Sequence, residues 1–210
     1  MATLESVAQC VITGNLGQVK GEVQALIDAG TAPLDIINKG LIEGMNVVGP
    51  RFKAGEMFVP EVLMAAKAMG AGVELVKPLL GGDDMPSLGK VVLGTVKGDL
   101  HDIGKNLVGM MLESTGFTVV NVGIDVAPED FLKAAKDSGA KIVAMSALLT
   151  TTMLAMKETV DCFKEAGMND VKLIVGGAPV SQEFADEIGA DGFAPDAATA
   201  CDLCKKLLGC

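Results

Sequence analysis

The sequence predicts an amino-terminal helical bundle followed by a parallel α/β sheet, and three observations predict it. Up to about residue 80, apolar residues recur at helical spacing, as in Ile37, Leu41, Met45 and Val48, with few β-branched alternations. From residue 90 the period changes, and short β-branched runs alternate with helix-length segments. Between them Gly81 to Gly89 reads Gly-Gly-Asp-Asp-Met-Pro-Ser-Leu-Gly, a turn-rich stretch without periodicity and therefore a natural boundary. The expected organisation is a helical domain over 1–80, a linker over 81–89 and an α/β domain over 90–210.

In the helical part, Gly30 suits the end of one helix, and Thr31 followed by Pro33 suits the start of the next. A further helix is expected near Pro60, running through Leu63, Ala66, Met69 and Val73 towards Leu80. In the α/β part the expected strands are Val91–Val96, Thr118–Val122, Ile142–Met145, Leu173–Val175 and, as a short fifth, Gly192–Ala194. Strands alternating with helices imply right-handed crossovers and a doubly wound, flavodoxin/Rossmann-like parallel sheet of five strands, which binds ligands outside its carboxyl edge.

Composition narrows the function classes. A net charge of −10 and no cluster of basic residues disfavour nucleic acid and anionic lipid as partners. No apolar run approaches the roughly 20 residues of a membrane span, and no basic segment leads into an apolar one at the start, so a cytoplasmic address is the default expectation. Five cysteines, at 10, 162, 201, 204 and 210, are too scattered for a disulfide framework. Cys201 and Cys204 have redox or metal spacing, yet they fall in a predicted terminal helix without a second pair, which disfavours zinc.

The most informative segment holds the chain's one histidine: Gly98-Asp99-Leu100-His101-Asp102-Ile103-Gly104-Lys105, directly after the first predicted strand. A neutral imidazole is a good ligand for a transition metal, and a carboxylate two residues earlier can fix its tautomer through the other ring nitrogen. Gly104 lets a bulky group pass close to the start of the following helix. Two further segments fall on the same sheet edge: Ser146-Ala147-Leu148-Leu149-Thr150-Thr151-Thr152 after the third strand, and Gly176-Gly177 after the fourth. Each alone has an ordinary reading. A lone histidine is commonly a surface residue, hydroxyls commonly cap helices, and paired glycines commonly make turns. Together they describe a slot.

Asp99-x-His101-x-x-Gly104, Ser146-x-Leu148 and Gly176-Gly177, with 41 residues between the first two and 27 between the last two, resemble the signature of the cobalamin-binding module shared by methionine synthase and the corrinoid methyl-carrier proteins. The resemblance implies base-off, His-on binding of cobalamin or a related corrinoid, with cobalt ligated by His101 and the displaced nucleotide tail in the slot. It implies cofactor contacts from Gly98, Asp99, Leu100, Asp102, Ile103, Gly104, Ser146, Leu148, Thr150, Gly176, Gly177 and Ala197, and places a hydroxyl at Thr152 against Asp99, where methionine synthase would have serine. In the amino-terminal half, Gly44 to Phe52 followed by Gly55 to Glu61 resembles the helical cap over the corrin's upper face, with Phe52 and Val59 at the positions that cover the methyl group.

The resemblance implies a carrier cycling between methyl-Co(III) and Co(I), a protein substrate that need not catalyse either transfer alone. A chain of 210 residues is similar to the small carriers of anaerobic systems acting on methylamines, betaines, methanol or aryl methyl ethers. The implied partners are a substrate:corrinoid methyltransferase, a methylcorrinoid:tetrahydrofolate or coenzyme M methyltransferase, and a reductive activator protein. The alternatives are the cobalamin-binding subunit of an adenosylcobalamin mutase, which would pair with a barrel, and a cobalamin-sensing regulator, which would need a DNA-binding module. A cofactor-free flavodoxin-like interaction domain is the reading with no corrinoid at all.

Overall fold

A computed structural model describes residues 2–80 and 87–210. Most of the expected linker, positions 81–86, lies outside the described residues. The chain divides into two compact units: residues 2–80 with Ser114–Gly116, and Ser87–Glu113 with Phe117–Cys210.

The first unit is all helical. Helix α1 (Leu4–Ile12) opens with a capping box, in which Thr3 Oγ1 accepts from the Ser6 amide and Ser6 Oγ accepts from the Thr3 amide. Helix α2 (Leu16–Asp28) is capped by Asn15. After Gly30, at φ +79°, the chain re-enters helix at Pro33. The segment expected as one regular helix is in fact a single turn, α3 (Pro33–Asp35), then π-helix over Ile36–Ile42, then α4 (Glu43–Lys53). Within the π turns Ile36, Ile37, Gly40 and Leu41 are buried together on one face. Helix α5 (Val59–Val76) starts where Glu61 Oε2 accepts from the Phe58 amide at 2.8 Å. It ends short of Leu80, in a 3-10 turn over Lys77–Leu79, because Pro78 lacks the N–H that would extend it.

The second unit contains strands β1 (Lys90–Val96), β2 (Thr118–Val126), β3 (Ile142–Ser146), β4 (Lys172–Gly176) and β5 (Gly192–Ala194), all parallel, in the order β2-β1-β3-β4-β5. Helices α6 (Ile103–Ser114), α7 (Pro128–Ser138), α8 (Leu154–Glu165), α9 (Gln182–Ile188) and α10 (Ala197–Leu208) connect and flank them. Alternate strand residues Val92, Val96, Val143, Met145, Leu173 and Val175 join Phe131, Met156, Val160 and Phe163 in one buried cluster. Gly94 belongs to that face because a Cβ there would stand 2.7 Å from the Phe131 ring. Strand β2 runs four residues past its expected end at Val122. The sequence pattern loses its period there because the strand shifts register against β1, first between the Leu93↔Asn121 and Gly94↔Gly123 pairs and again before Val96↔Val126.

Candidate functional site

Parallel register gathers the predicted residues. Thr95 pairs with Ser146, Ser146 with Gly176 and Gly176 with Ala194, so the ends of four strands form one row along the carboxyl edge. That row follows from uniform strand direction, and it brings side chains about fifty positions apart in sequence into contact.

At its centre lies Asp99, fully buried. Its Oδ1 accepts from the His101 amide at 3.0 Å and lies 2.7 Å from His101 Nδ1. Its Oδ2 accepts from the Leu148 amide at 2.7 Å, the Leu149 amide at 3.3 Å and Thr152 Oγ1 at 2.7 Å. Burial opposes the carboxylate charge, but the Leu148 and His101 amides, the Thr152 hydroxyl and the imidazole together outweigh it and hold Asp99 well below the ordinary carboxylate range. An ionised Asp99 can only accept, so His101 Nδ1 carries the proton and Nε2 keeps its lone pair. The side chain of His101 is 50% exposed while its partner is wholly enclosed, a ring anchored at one nitrogen and presented at the other.

Of these anchors, Asp99 is placed by a local turn and Thr152 by a contact across the fold. Asp99 follows a turn closed by its own amide donating to the Val96 carbonyl, with Gly98 at φ +82°. Thr152 does not cap α8, whose amino-terminal flank is Met153 with no side-chain cap; its hydroxyl is turned to Asp99, and Leu149 O lies within 2.9 Å. Thr95, which sequence reasoning passed over, is buried and donates from Oγ1 to the His101 carbonyl at 2.8 Å. Its signal was a hydroxyl among otherwise apolar residues at the end of β1.

The remaining predicted residues divide by exposure. Leu100, Ile103 and Leu148 are exposed, at 68, 82 and 44%, and Leu149 and Leu154 also turn large apolar side chains outward. Asp102, Gly98 and Thr150 are exposed, and Ser146 is half-buried at the strand end. A Cβ at Gly104 would meet nothing within 4 Å, whereas one at Gly177, where φ is +127°, would lie 1.8 Å from the Ala147 carbonyl oxygen, and one at Gly176 2.8 Å from the Ala194 oxygen. The paired glycines therefore serve the close approach of their own backbone neighbours, while Gly104 faces open space. Ala197 is buried as the first residue of α10, whose cap is Asp196. In the helical unit Phe52 is half-buried and Val59 exposed, and the neighbouring Phe58, which sequence reasoning did not single out, is 69% exposed.

Among the described residues no group of three or more His, Cys, Asp or Glu side chains converges to hold a metal ion. One imidazole without companion ligands suits a metal that arrives with ligands of its own, and the exposed apolar side chains of Leu100, Ile103 and Leu148 suit a large apolar ligand. The Cys201 and Cys204 pair is buried in α10, where burial first and the neighbouring Cys201 second push the Cys204 thiol up to about 12. No helix among the described residues is long and apolar enough to cross a membrane.

Fold and site thus define a doubly wound α/β protein that holds one oriented, half-exposed histidine at the carboxyl edge of its sheet. Family models described as B12 binding domains match residues 89–203 and, for a second model, 3–77. The chain is 43% identical to a corrinoid protein of Desulfitobacterium hafniense (strain Y51), over 100% of this chain and 99% of that one. It is 46% identical to the dimethylamine corrinoid protein of Methanosarcina barkeri, over 91% of this chain and 87% of the relative. In structure it is similar to a chain of the methanol:cobalamin methyltransferase complex of Methanosarcina barkeri, with a TM-score of 0.89 and 34% identity over 98% of this chain and 79% of that one. The chain belongs to the B12-binding corrinoid proteins.

Proposed function

We propose that this chain carries a methyl group on a corrinoid between two methyltransferases, with His101 as the lower axial ligand in a base-off, His-on state. The observation that carries the reading is the Thr152–Asp99–His101 chain of hydrogen bonds, 2.7 Å at each link, ending in a half-exposed imidazole on a segment whose Leu100 and Ile103 are also exposed. The residues fit the cofactor: the donor is single, its tautomer is set, and Gly104 leaves space beside it. When bound, the corrinoid supplies a cobalt that accepts and gives up a methyl group as it passes between Co(III) and Co(I).

The protein's part is to hold and release an imidazole and its proton. Asp99 orients the ring and keeps the Nδ1 proton, which strengthens Nε2 as a donor; Thr152 and the Leu148 amide hold Asp99 when the ring moves. Gly98, Leu100, Asp102, Ile103 and Leu148 line the approach to the ring, and Ser146, Thr150, Gly176, Gly177 and Ala197 receive the nucleotide tail. Phe52 and Val59 are assigned to the methyl-bearing face, residues 1–80 to the cap domain and residues 90–210 to the binding domain. The donor-side partner is a substrate:corrinoid methyltransferase of the methylamine or methanol type, a reading supported by the dimethylamine and methanol systems of the relatives. The acceptor-side partner delivers to tetrahydrofolate or coenzyme M, a reductive activator returns oxidised cobalt to use, and the chain works in the cytoplasm without catalysing either transfer alone.

The test is the visible spectrum of protein reconstituted with hydroxocobalamin and desalted, beside His101→Ala. A chain without Trp or Tyr also leaves the near-ultraviolet corrin absorbance clear of protein bands. Stoichiometric corrin bands with a histidine-dependent shift are expected, and no retained corrinoid in either protein would overturn the proposal.

A further inference from the structure

Strand β2 departs from regular geometry beside the His101 loop. At each of two steps, Leu93↔Asn121 to Gly94↔Gly123 and then to Val96↔Val126, β2 uses one residue more than β1, so it carries two bulges in a parallel pair. Bulges are rare between parallel strands and serve to re-aim a side chain. Here they turn Asp125 back towards the β1 turn. Asp125 has φ +52°, which among the described residues no other non-glycine residue with a positive φ shares. A left-handed backbone is unfavourable for an L-residue, less so for Asp, so its persistence calls for a compensating contact.

Two contacts supply it. Asp125 Oδ1 accepts from the Gly98 amide at 2.7 Å, and the Asp125 amide donates to the Asp99 carbonyl at 3.0 Å. These bonds grip both residues of the turn whose next side chains are the Asp99 carboxylate and the His101 ring. The bulge is itself braced from below. Asn121 Oδ1 accepts from the Gly123 amide at 3.0 Å and from the buried Lys105 Nζ at 2.9 Å, while Lys105 also donates to Asn106 Oδ1 at 2.7 Å.

We propose that Asp125 is a positioning residue for the axial histidine: the doubly bulged β2 aims its carboxylate at the Gly98 amide and so fixes the turn that presents Asp99 and, through it, His101. This assignment rests on the reading of His101 as the cobalt ligand, although the clamp itself is readable in protein without cofactor.

The experiment compares Asp125→Gly, Asp125→Ala and Asp125→Asn with the unaltered protein. Asp125→Gly removes the carboxylate without backbone strain and guards against a folding defect in Asp125→Ala. Asn retains a side-chain oxygen and tolerates the left-handed backbone, so it should restore the contact. Two readouts are taken. In apo-protein, amide exchange at Gly98 and Asp125 followed by 15N-resolved NMR should accelerate about tenfold or more in the Gly and Ala variants and stay near the unaltered rate in Asn. In protein loaded with cob(II)alamin, electron paramagnetic resonance counts the fraction of cobalt showing nitrogen coupling from the imidazole. The His-on to His-off ratio should fall about tenfold in the Gly and Ala variants at unchanged corrinoid content, in the range found for residues behind a metal ligand, and recover in Asn. Unchanged exchange would overturn the clamp. Faster exchange with an unchanged ratio would overturn the positioning role. Absence of imidazole coupling in the unaltered protein would overturn the His-on reading, and the positioning role with it, while the exchange data still report on the clamp.

Discussion

Replacing Asp99 with Asn tests the site at its centre, because the substitution keeps shape and changes only which atoms donate. Five contacts converge on the Asp99 oxygens: the His101 amide and ring nitrogen on Oδ1, and the Leu148 and Leu149 amides and the Thr152 hydroxyl on Oδ2. An Asn side chain has one oxygen, so its NH2 group must face one of these sets. Facing Leu148, Leu149 and Thr152 would set it against two backbone donors and strand both. Facing His101 is less costly, since the ring can change tautomer and accept at Nδ1. The His101 amide then lacks a partner, at about 1–3 kcal/mol, and the charge-assisted strength of the remaining bonds is lost, for a total of about 2–4 kcal/mol. The tautomer change matters more, because a proton on Nε2 removes the lone pair that faces outward. Asp99→Asn should therefore fold, unfold at lower denaturant concentration, and lower His-on ligation of bound cobalamin at least tenfold. The single histidine makes the assay clean: 15N NMR of the one imidazole reads the tautomer in apo-protein, and the corrinoid spectrum reads ligation. An Asn variant that keeps the Nδ1-protonated tautomer and ligates like the unaltered protein would refute the reasoning.

Three further outcomes follow from the same geometry. Folded Asp99 ionises below its ordinary value of 3.8, so its stabilisation is complete above that value and declines as pH falls towards the folded one; urea unfolding from about pH 2 to 4 should show a slope that Asp99→Asn flattens. Gly177→Ala places a methyl 1.8 Å from the Ala147 oxygen at φ +127° and should cost about 3 kcal/mol or more, whereas Gly104→Ala meets open space and should leave apo stability unchanged or about 0.5–1 kcal/mol higher while weakening corrinoid retention, as equilibrium unfolding and desalting would register. With a thiol disulfide reagent at pH 8, exposed Cys210 should react promptly, and Cys204, which burial pushes up to about 12, only on unfolding; prompt modification of Cys204 in native protein would contradict its placement.

The sequence by itself determined the fold class, the order of strands and helices, and the residues worth watching at the sheet edge. Period, β-branched runs and turn residues are local signals, and a parallel sheet converts chain order into spatial order by rule, so Asp99, His101, Ser146 and Gly176 could be assigned to one edge without coordinates. Only the tertiary structure decided which atoms meet. Thr152 turning from the α8 terminus to Asp99 and Gly177 reserved for the Ala147 oxygen depend on close approaches between segments distant in sequence, and Thr95 holding the His101 carbonyl depends on how the intervening turn folds back, which no periodic pattern encodes. The extension of β2 to Val126 and the left-handed Asp125 belong to the same class. A bulge breaks the period from which strands are recognised, and it exists because contacts with Gly98 and Lys105, distant in sequence, outweigh the local cost of the strained backbone.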